Sequence, residues 1–492
     1  MAFDGFGAFV QSLENAGELK RIREPLATEL EITELADREM KSPGGGKALL
    51  IEKPTVNGAI SPFPLAINTM GSHRRMALSL GAPSVERVAQ EMAALIQAKP
   101  PSGFSEAIKL LGTALDLRHA RPKTVSRGRC QEVVYRQDQL ASAPSPCPTL
   151  LNLPILKCWP LDAGRFITLP CVVTKDPDTG ARNVGMYRIQ IFDSETTGMH
   201  WQLQKVAARH GRRYYETGER MPVSIFLGGD PVFTFCATAP LPDGLDEFLL
   251  AGYLRKKSVE LVKCVTNDLE VPADADFVIE GFVDPKEPLR TEGPFGDHTG
   301  YYSLPDLYPA FHITAITHRK DAVYPATIVG IPPMEDFYIG SASVKLFLPV
   351  LKMNFPEMVN IAFPAEGVFH NLVVVSIRKN YPMQAFKIMH GLWGMGQMMF
   401  TKYIIVVDED VDVHNTSEVL FRLCATTDPQ RDSLFTRGPA DVLDHATTDF
   451  AIGSKLGIDA TKKLPGEGFK REWPPLIKMD PAVKSKIDHF RG

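Results

Sequence analysis

The 492 residues of the chain are enough for roughly two to four domains with a large buried core, and 44% hydrophobic with 23% charged residues is the balance of an ordinary globular protein, implying neither disorder nor membrane residence. The formal net charge of −4, with pI near 6.3, offers no basic field for gripping a phosphate backbone, which argues against nucleic acid as a partner. No apolar run approaches the roughly 18 residues needed to span a bilayer, and the N-terminus lacks the basic and apolar regions of a secretion signal, so a cytoplasmic protein is expected.

In chain order, residues 6 to 16 predict an amphipathic helix with Phe9, Val10 and Leu13 on one face, stopped at Gly17. A second helical pattern covers 29 to 41, a short buried strand follows at 48 to 52, and residues 84 to 98 read as another helix. This alternation predicts an N-terminal α/β domain over 1–118, with a loop at 100–103. From 119 to 318 the pattern turns to strands, at 166–169, 171–174, 187–192, 223–227, 277–283 and 311–317. These β-branched and aromatic runs, separated by turns such as 176–180, suggest an antiparallel barrel or sandwich. Over 319–470 the α/β alternation returns, with apolar strands at 372–377 and 403–408 of the kind covered on both faces. Residues 471–492 are charged and weakly patterned, fitting an exposed helix or an arm onto a neighbouring subunit. Seven cysteines (Cys130, Cys147, Cys158, Cys171, Cys236, Cys264, Cys424) are scattered without a CxxC pair, which argues against a zinc site or a disulfide frame.

The stretch EGPFGDHTGYY at 292–302 places Glu292, Asp297 and His298 around three glycines. It has little helix or core value, and its glycines let backbone approach a ligand closely. Two acids sharing a low-dielectric cleft cannot both ionise freely, so one is expected to be neutral and to serve as a proton donor; an ordinary surface turn is the competing reading. The segment NVGMYR at 183–188 reads either as a hairpin with a surface arginine or as Arg188 gripping a carboxylate while Asn183 offers an oxygen to a metal. Alternation puts those two residues on opposite faces unless the glycine between them bends the chain. Residues 199–205 offer an aromatic surface beside Lys205, suited to a flat cofactor or to strand packing. Glu247 reads as a first-turn acid or a metal carboxylate, Lys402 as a strand end or a phosphate contact, and 408–412 as a solvated turn. The phosphate-loop, GxGxxG, HExxH and GxSxG signatures are absent.

Taken together, GELKRI at 17–22, LEITELAD at 30–37, NVGMYR at 183–188, NDLEVP at 267–272, the 292–302 stretch, FTKY at 400–403 and GSKLGIDAT at 453–461 resemble the UbiD family of prenylated-FMN-dependent decarboxylases. The resemblance implies an N-terminal α/β domain, a central split β-barrel like those of flavin reductases, and a C-terminal α/β domain that helps form homo-dimers or homo-hexamers. It implies a catalytic set of Arg188, Glu292 and Asp297, and cofactor contacts from Met186, Tyr187, Arg188, Trp201, Gln202, Lys205 and Lys402. The cofactor is expected to be prenylated FMN, supplied by a flavin prenyltransferase, its phosphate bound through Mn2+ (or Mg2+) with K+ nearby. The metal set resembles Asn183, a histidine and Glu247, but Gln204 stands at the histidine position; its amide oxygen still suits a hard cation. His200 is the near substitute, facing the same way only if the strand is regular.

The expected reaction is reversible, non-oxidative decarboxylation of an aromatic or α,β-unsaturated acid. The first candidate substrate is 4-hydroxy-3-polyprenylbenzoate of ubiquinone biosynthesis, in which case the protein would sit peripherally at a membrane. The alternatives are a naphthoate of menaquinone biosynthesis, a catabolic aryl acid, an FMN reductase, or a cofactor-poor assembly subunit.

Overall fold

A computed structural model describes residues 2–96, 118–140, 149–202, 204–242, 244–488 and 490. The expected loop at 100–103, the end of the helix beyond 96, and Cys147 lie outside them. The first helix, Phe6–Asn15, forms because Phe6, Phe9, Val10 and Leu13 recur on one face, and all four are buried. The helix Glu31–Met40 buries Ile32, Thr33, Ala36 and Met40 in the same way. Beside them lies a four-stranded sheet in the order Leu19–Ile22, Ala48–Ile51, Leu65–Ile67, Tyr324–Ala326. Its last strand comes from far along the chain and runs parallel to Leu65–Ile67.

The middle of the chain builds a nine-stranded sheet whose pairings are antiparallel. Its order runs Arg182–Met186, Cys171–Lys175, Met221–Leu227, Phe277–Val283, Ala310–His318, Thr196–Met199, Ile189–Ile191, Phe166–Ile167, with Val133–Arg136 added to Ala310–His318. Arg182–Met186 ends this order on one side, and Ile189–Ile191 lies next to the last strand on the other. Only Tyr187 and Arg188 join them. Such a link spans at most about 11 Å between Cα atoms, so the sheet has to curl into a half-barrel until its two ends meet. Arg188 sits at that seam.

Two segments next to the seam are shorter as strands than their patterns. The run 187–192 is broken, with only Ile189–Ile191 paired, because the Tyr187 ring folds back over Gly185, where a Cβ would lie 2.3 Å from the tyrosine hydroxyl. The bend that a glycine in this segment would permit is therefore present. The other strand, Thr196–Met199, stops at Met199; His200, Trp201 and Gln202 lie outside any strand and Gln204 is in a turn, so His200 and Gln204 do not share a face through pleating.

The C-terminal sheet has five strands in the order Met358–Ala362, Leu372–Ile377, Tyr403–Asp408, Ile452–Asp459, Ser433–Pro439. Leu372–Ile377 and Tyr403–Asp408 are parallel. Val373, Val375, Ile404 and Val406 face Ile388 and Leu392 of the helix Gln384–Trp393, whereas Val374, Ile405 and Val407 face Val419 of the helix Thr416–Thr426. Double coverage accounts for the uninterrupted apolar runs. The 20-residue helix Glu335–Asn354 packs against the helix Val85–Ile96 and the strand Met358–Ala362, tying this unit to the rest. At the far end, the helix Pro481–Asp488 buries none of its residues. Among the described residues no helix is long and apolar enough to cross a membrane.

Candidate active site

The seam residue Arg188 points at the turn that follows the strand Arg290–Glu292. Its Nε donates to Glu292 Oε1 at 2.8 Å and one terminal nitrogen to Oε2 at 2.9 Å, a planar fork on a fully buried carboxylate. The same terminal nitrogen donates to Ser303 Oγ at 3.0 Å, and the other donates to Asp297 Oδ2. The guanidinium stands 4.9 Å from the centre of the Phe295 ring. Four of its five N–H groups are thus engaged, and one on the Asp297 side remains for a ligand.

The turn is pinned by groups from elsewhere. Gln190 accepts from the Gly293 backbone at 2.7 Å, and Asp162 accepts from Gly296 at 2.8 Å while also binding the backbone of Cys158 and Trp159. Gly296 is required because a Cβ there would lie 2.2 Å from the Trp159 ring.

The charge state differs from the expectation of one neutral acid. Burial pushes Glu292 toward neutrality, but hydrogen bonds from His200 and Arg188 outweigh it and hold the carboxyl down at about 2. Asp297 is likewise desolvated, yet His298 and Arg188 hold it far below the usual carboxylate range. The physical reason is that an arginine lies between the two acids and neutralises their repulsion. The raised pKa belongs instead to His298, whose ring nitrogen Nδ1 is 3.0 Å from Asp297 Oδ1; although burial opposes its charge, Asp297 and Asp441 lift it to about 9. His200, 3.1 Å from Glu292, is kept neutral by burial and by Arg188.

Asn183 and Glu247 lie close together. The Glu247 carboxylate accepts from the Val184 backbone at 2.8 Å, and Asn183 Nδ2 is 3.5 Å from the Tyr187 hydroxyl. Glu247 opens the helix Glu247–Arg255, where burial raises its carboxyl to about 7. Gln204 is exposed on the turn before the helix Val206–Thr217, and Lys205 is the N-cap of that helix. Met186 and Gln202 are half-buried, while Trp201 is buried. The indole N–H of Trp201 and Nε2 of His200 are buried without a hydrogen-bond partner among the described residues. Lys402 pairs with Asp444 at 2.6 Å and lines a cavity of about 420 Å³ between the C-terminal sheet and Thr299 and Tyr301 of the turn after Glu292.

Family models for the three domains of 3-octaprenyl-4-hydroxybenzoate carboxy-lyase match in order, the N-terminal domain over residues 10–95, the Rift-related domain over 123–332 and the C-terminal domain over 337–460. The chain belongs to the UbiD family. A protein of Archaeoglobus fulgidus, itself described as uncharacterized, is 46% identical over 490 residues, spanning 99% of this chain and 98% of its own. The vanillic acid decarboxylase of Sedimentibacter hydroxybenzoicus in closed form has a TM-score of 0.85 at 26% identity, covering 100% of this chain and 99% of that one. The UbiD-class enzyme HmfF from Pelotomaculum thermopropionicum, in complex with FMN, has a TM-score of 0.76 at 26% identity, covering 96% and 97%. An evolved dimeric form of HmfF is in complex with prFMN. The UbiD family and these neighbours are carboxy-lyase decarboxylases, and this chain is an enzyme of that class.

Several residues of this UbiD-family site escaped the motif reading. His298 was legible as a neighbour of Asp297 but not as its charge partner. Asp162, Gln190, His370 and Asp441 come from distant segments and carry no local signal.

Proposed function

We propose that this UbiD-family carboxy-lyase decarboxylates an aromatic or α,β-unsaturated acid without oxidation, using prenylated FMN bound in the curled central sheet. The observation that carries the reading is the buried Arg188 fork, held by Glu292 and Asp297 with one donor to spare. A substrate carboxylate docks on that donor and competes with Asp297 for the guanidinium. Glu292, steadied by His200, keeps the arginine plane in place while this happens. Asp297 then delivers a proton to the carbon that carbon dioxide has left. Apolar surroundings favour loss of the substrate's charge as carbon dioxide forms.

The chain fits the cofactor in its donor set. The unpartnered Trp201 indole N–H and His200 Nε2 supply buried polar contacts, and Met186, Tyr187 and Gln202 lie on the adjoining segments. When bound, the prenylated flavin supplies the electron sink that lets carbon dioxide leave without a free carbanion. Lys205 and the start of the helix Val206–Thr217 suit its phosphate, with Lys402 as a further contact. Asn183, Glu247 and the amide oxygen of Gln204 would hold Mn2+ or Mg2+, with K+ beside it. A carboxyl lifted to about 7 by burial, as in Glu247, is the kind of group a cation restores to the ionised form. The central sheet corresponds in this reading to the split barrel of flavin reductases.

The first substrate to test is 4-hydroxy-3-polyprenylbenzoate, followed by naphthoates and simple aryl acids. Protein co-produced with a flavin prenyltransferase is expected to release carbon dioxide from one such acid and to exchange the adjacent carbon-bound proton with deuterium in the product. A flavin-loaded enzyme that does neither across the panel, or that instead oxidises NAD(P)H with plain FMN, overturns the reading.

A further inference from the structure

An ionised Asp297 has no proton to give, yet each turnover must place one on carbon. The nearest one is on His298. Its ring lies between two carboxylates, with Nδ1 3.0 Å from Asp297 and Nε2 3.9 Å from Asp441. Asp441 is in turn 3.0 Å from Nε2 of His370, and the two histidine rings are 5.8 Å apart. Asp297 and His298 come from the catalytic turn, whereas His370 and Asp441 come from the C-terminal unit. We propose that His298 is the proton store of Asp297: an imidazolium whose charge Asp441 favours from 3.9 Å, and whose Nδ1, at 3.0 Å from Asp297, is the end that delivers. This rests on the reading that Asp297 protonates the product carbon.

The cycle balances. Substrate carboxylate drawn to Arg188 weakens the hold of the guanidinium on Asp297, whose affinity for a proton rises. The Nδ1 proton of His298 moves to Asp297 Oδ and from there to carbon, leaving His298 neutral with its remaining proton on Nε2 toward Asp441. Asp297, again ionised, then faces a bare Nδ1 lone pair, an arrangement that draws one proton from water. One proton enters from solvent and one leaves on the product. The charge of Asp441, 3.9 Å from Nε2, favours the tautomer that keeps the remaining proton on that nitrogen. A cavity lies next to this cluster in the chain, lined by Thr299 and Asn371, the sequence neighbours of His298 and His370.

Charges around the ring agree with this role. Asp297, Asp441 and Asp336 all favour its protonated form, and together they overcome desolvation. Arg188 acts on Asp297 from the far side. His370 is kept neutral by burial, with its bond to Asp441 opposing and the charges of His298 and Lys205 adding to the effect. The donor atoms of His298, His370 and Asp441 lie within 4.8 Å of one another. Such a spacing also admits a cation, but Lys205 already places positive charge against Asp441 and His370, and the His298 proton is anchored by Asp297. Proton storage suits that balance better.

The test is His298→Asn, which keeps a donor for Asp297 but no transferable proton, alongside Asp441→Asn, which keeps the imidazole but removes the charge near Nε2. With the flavin-loaded enzyme and an acid found active above, His298→Asn is expected to lower kcat about 100-fold with KM within about twofold, and to erase the alkaline limb of the kcat profile. Asp441→Asn is expected to shift that limb to lower pH. In cofactor-free protein, ring 15N NMR is expected to show His298 protonated on both nitrogens at about pH 8, and neutral there in Asp441→Asn. A wild-type ring that is neutral at that pH, or a His298→Asn enzyme with unchanged kcat and alkaline limb, overturns the proposal; if His298→Asn does not fold, the NMR result decides. Asp297→Asn run in parallel separates the two ideas. Its inactivity beside a normal His298→Asn enzyme refutes the proton store alone, whereas an active Asp297→Asn enzyme refutes both.

Discussion

Arg188 carries a full charge into a setting where its side chain is only 8% exposed, and it does so because two carboxylates and a serine hydroxyl meet it there. Lysine offers the charge without the planar fork, so Arg188→Lys is expected to lower kcat/KM at least about 100-fold, measured with any acid the wild type accepts. Removing the partner is costly in a different currency: Glu292→Ala leaves the guanidinium buried with one partner fewer and is expected to destabilise the fold by about 3 kcal/mol, read by urea unfolding. Glu292 is held down at about 2, below its usual 4.5, so its contribution to stability is fully present above about 4.5 and is lost progressively as pH falls from there through about 2. The two acids and the arginine were all legible as chemistry-bearing residues. What no local pattern contains is that an arginine lies between the acids, which reverses the charge state their proximity predicts.

At the scale of elements, two glycines decide the geometry. Gly296→Ala would drive a methyl group into the Trp159 ring, and overpacking of this kind is expected to cost about 1–3 kcal/mol and to displace Asp297 from Arg188, lowering activity more than stability. A melting curve and a kcat measurement on the same variant check both halves; normal activity would show that the turn can yield without moving the acid. Apolar periodicity exposed several helices and strands, including Phe277–Val283, Leu372–Ile377 and Tyr403–Asp408 at their observed limits, because each is a strongly apolar run in the core. It failed at 187–192 and 199–205. There the backbone leaves the strand to present side chains to a site, and a period-two pattern carries no information about where pairing stops.

For the whole molecule, the contact between the turn carrying His298 and the C-terminal unit through Asp441 and His370 is expected to make stability depend on pH. The folded pKa of His298 is raised from its usual 6.5 to about 9, so its contribution, roughly 3 kcal/mol, is fully present below about 6.5 and is lost as pH rises through about 9. The melting temperature is expected to fall progressively between about pH 6.5 and 9, with the fall ending at lower pH in Asp441→Asn; a flat profile would refute the link. Sequence alone pointed to the family and to the alternation of α/β and strand-rich regions, and it marked Arg188, Glu292 and Asp297 as chemistry-bearing, because motifs and hydrophobic periods are local properties of the chain. Only the tertiary structure decided that Tyr187 and Arg188 close the curled sheet, that Arg188 lies between Glu292 and Asp297 and favours their ionised forms, and that His298 stands against Asp297 with Asp441 nearby. Those outcomes depend on groups from distant segments meeting out of water, where burial and charge, rather than order along the chain, set each protonation state.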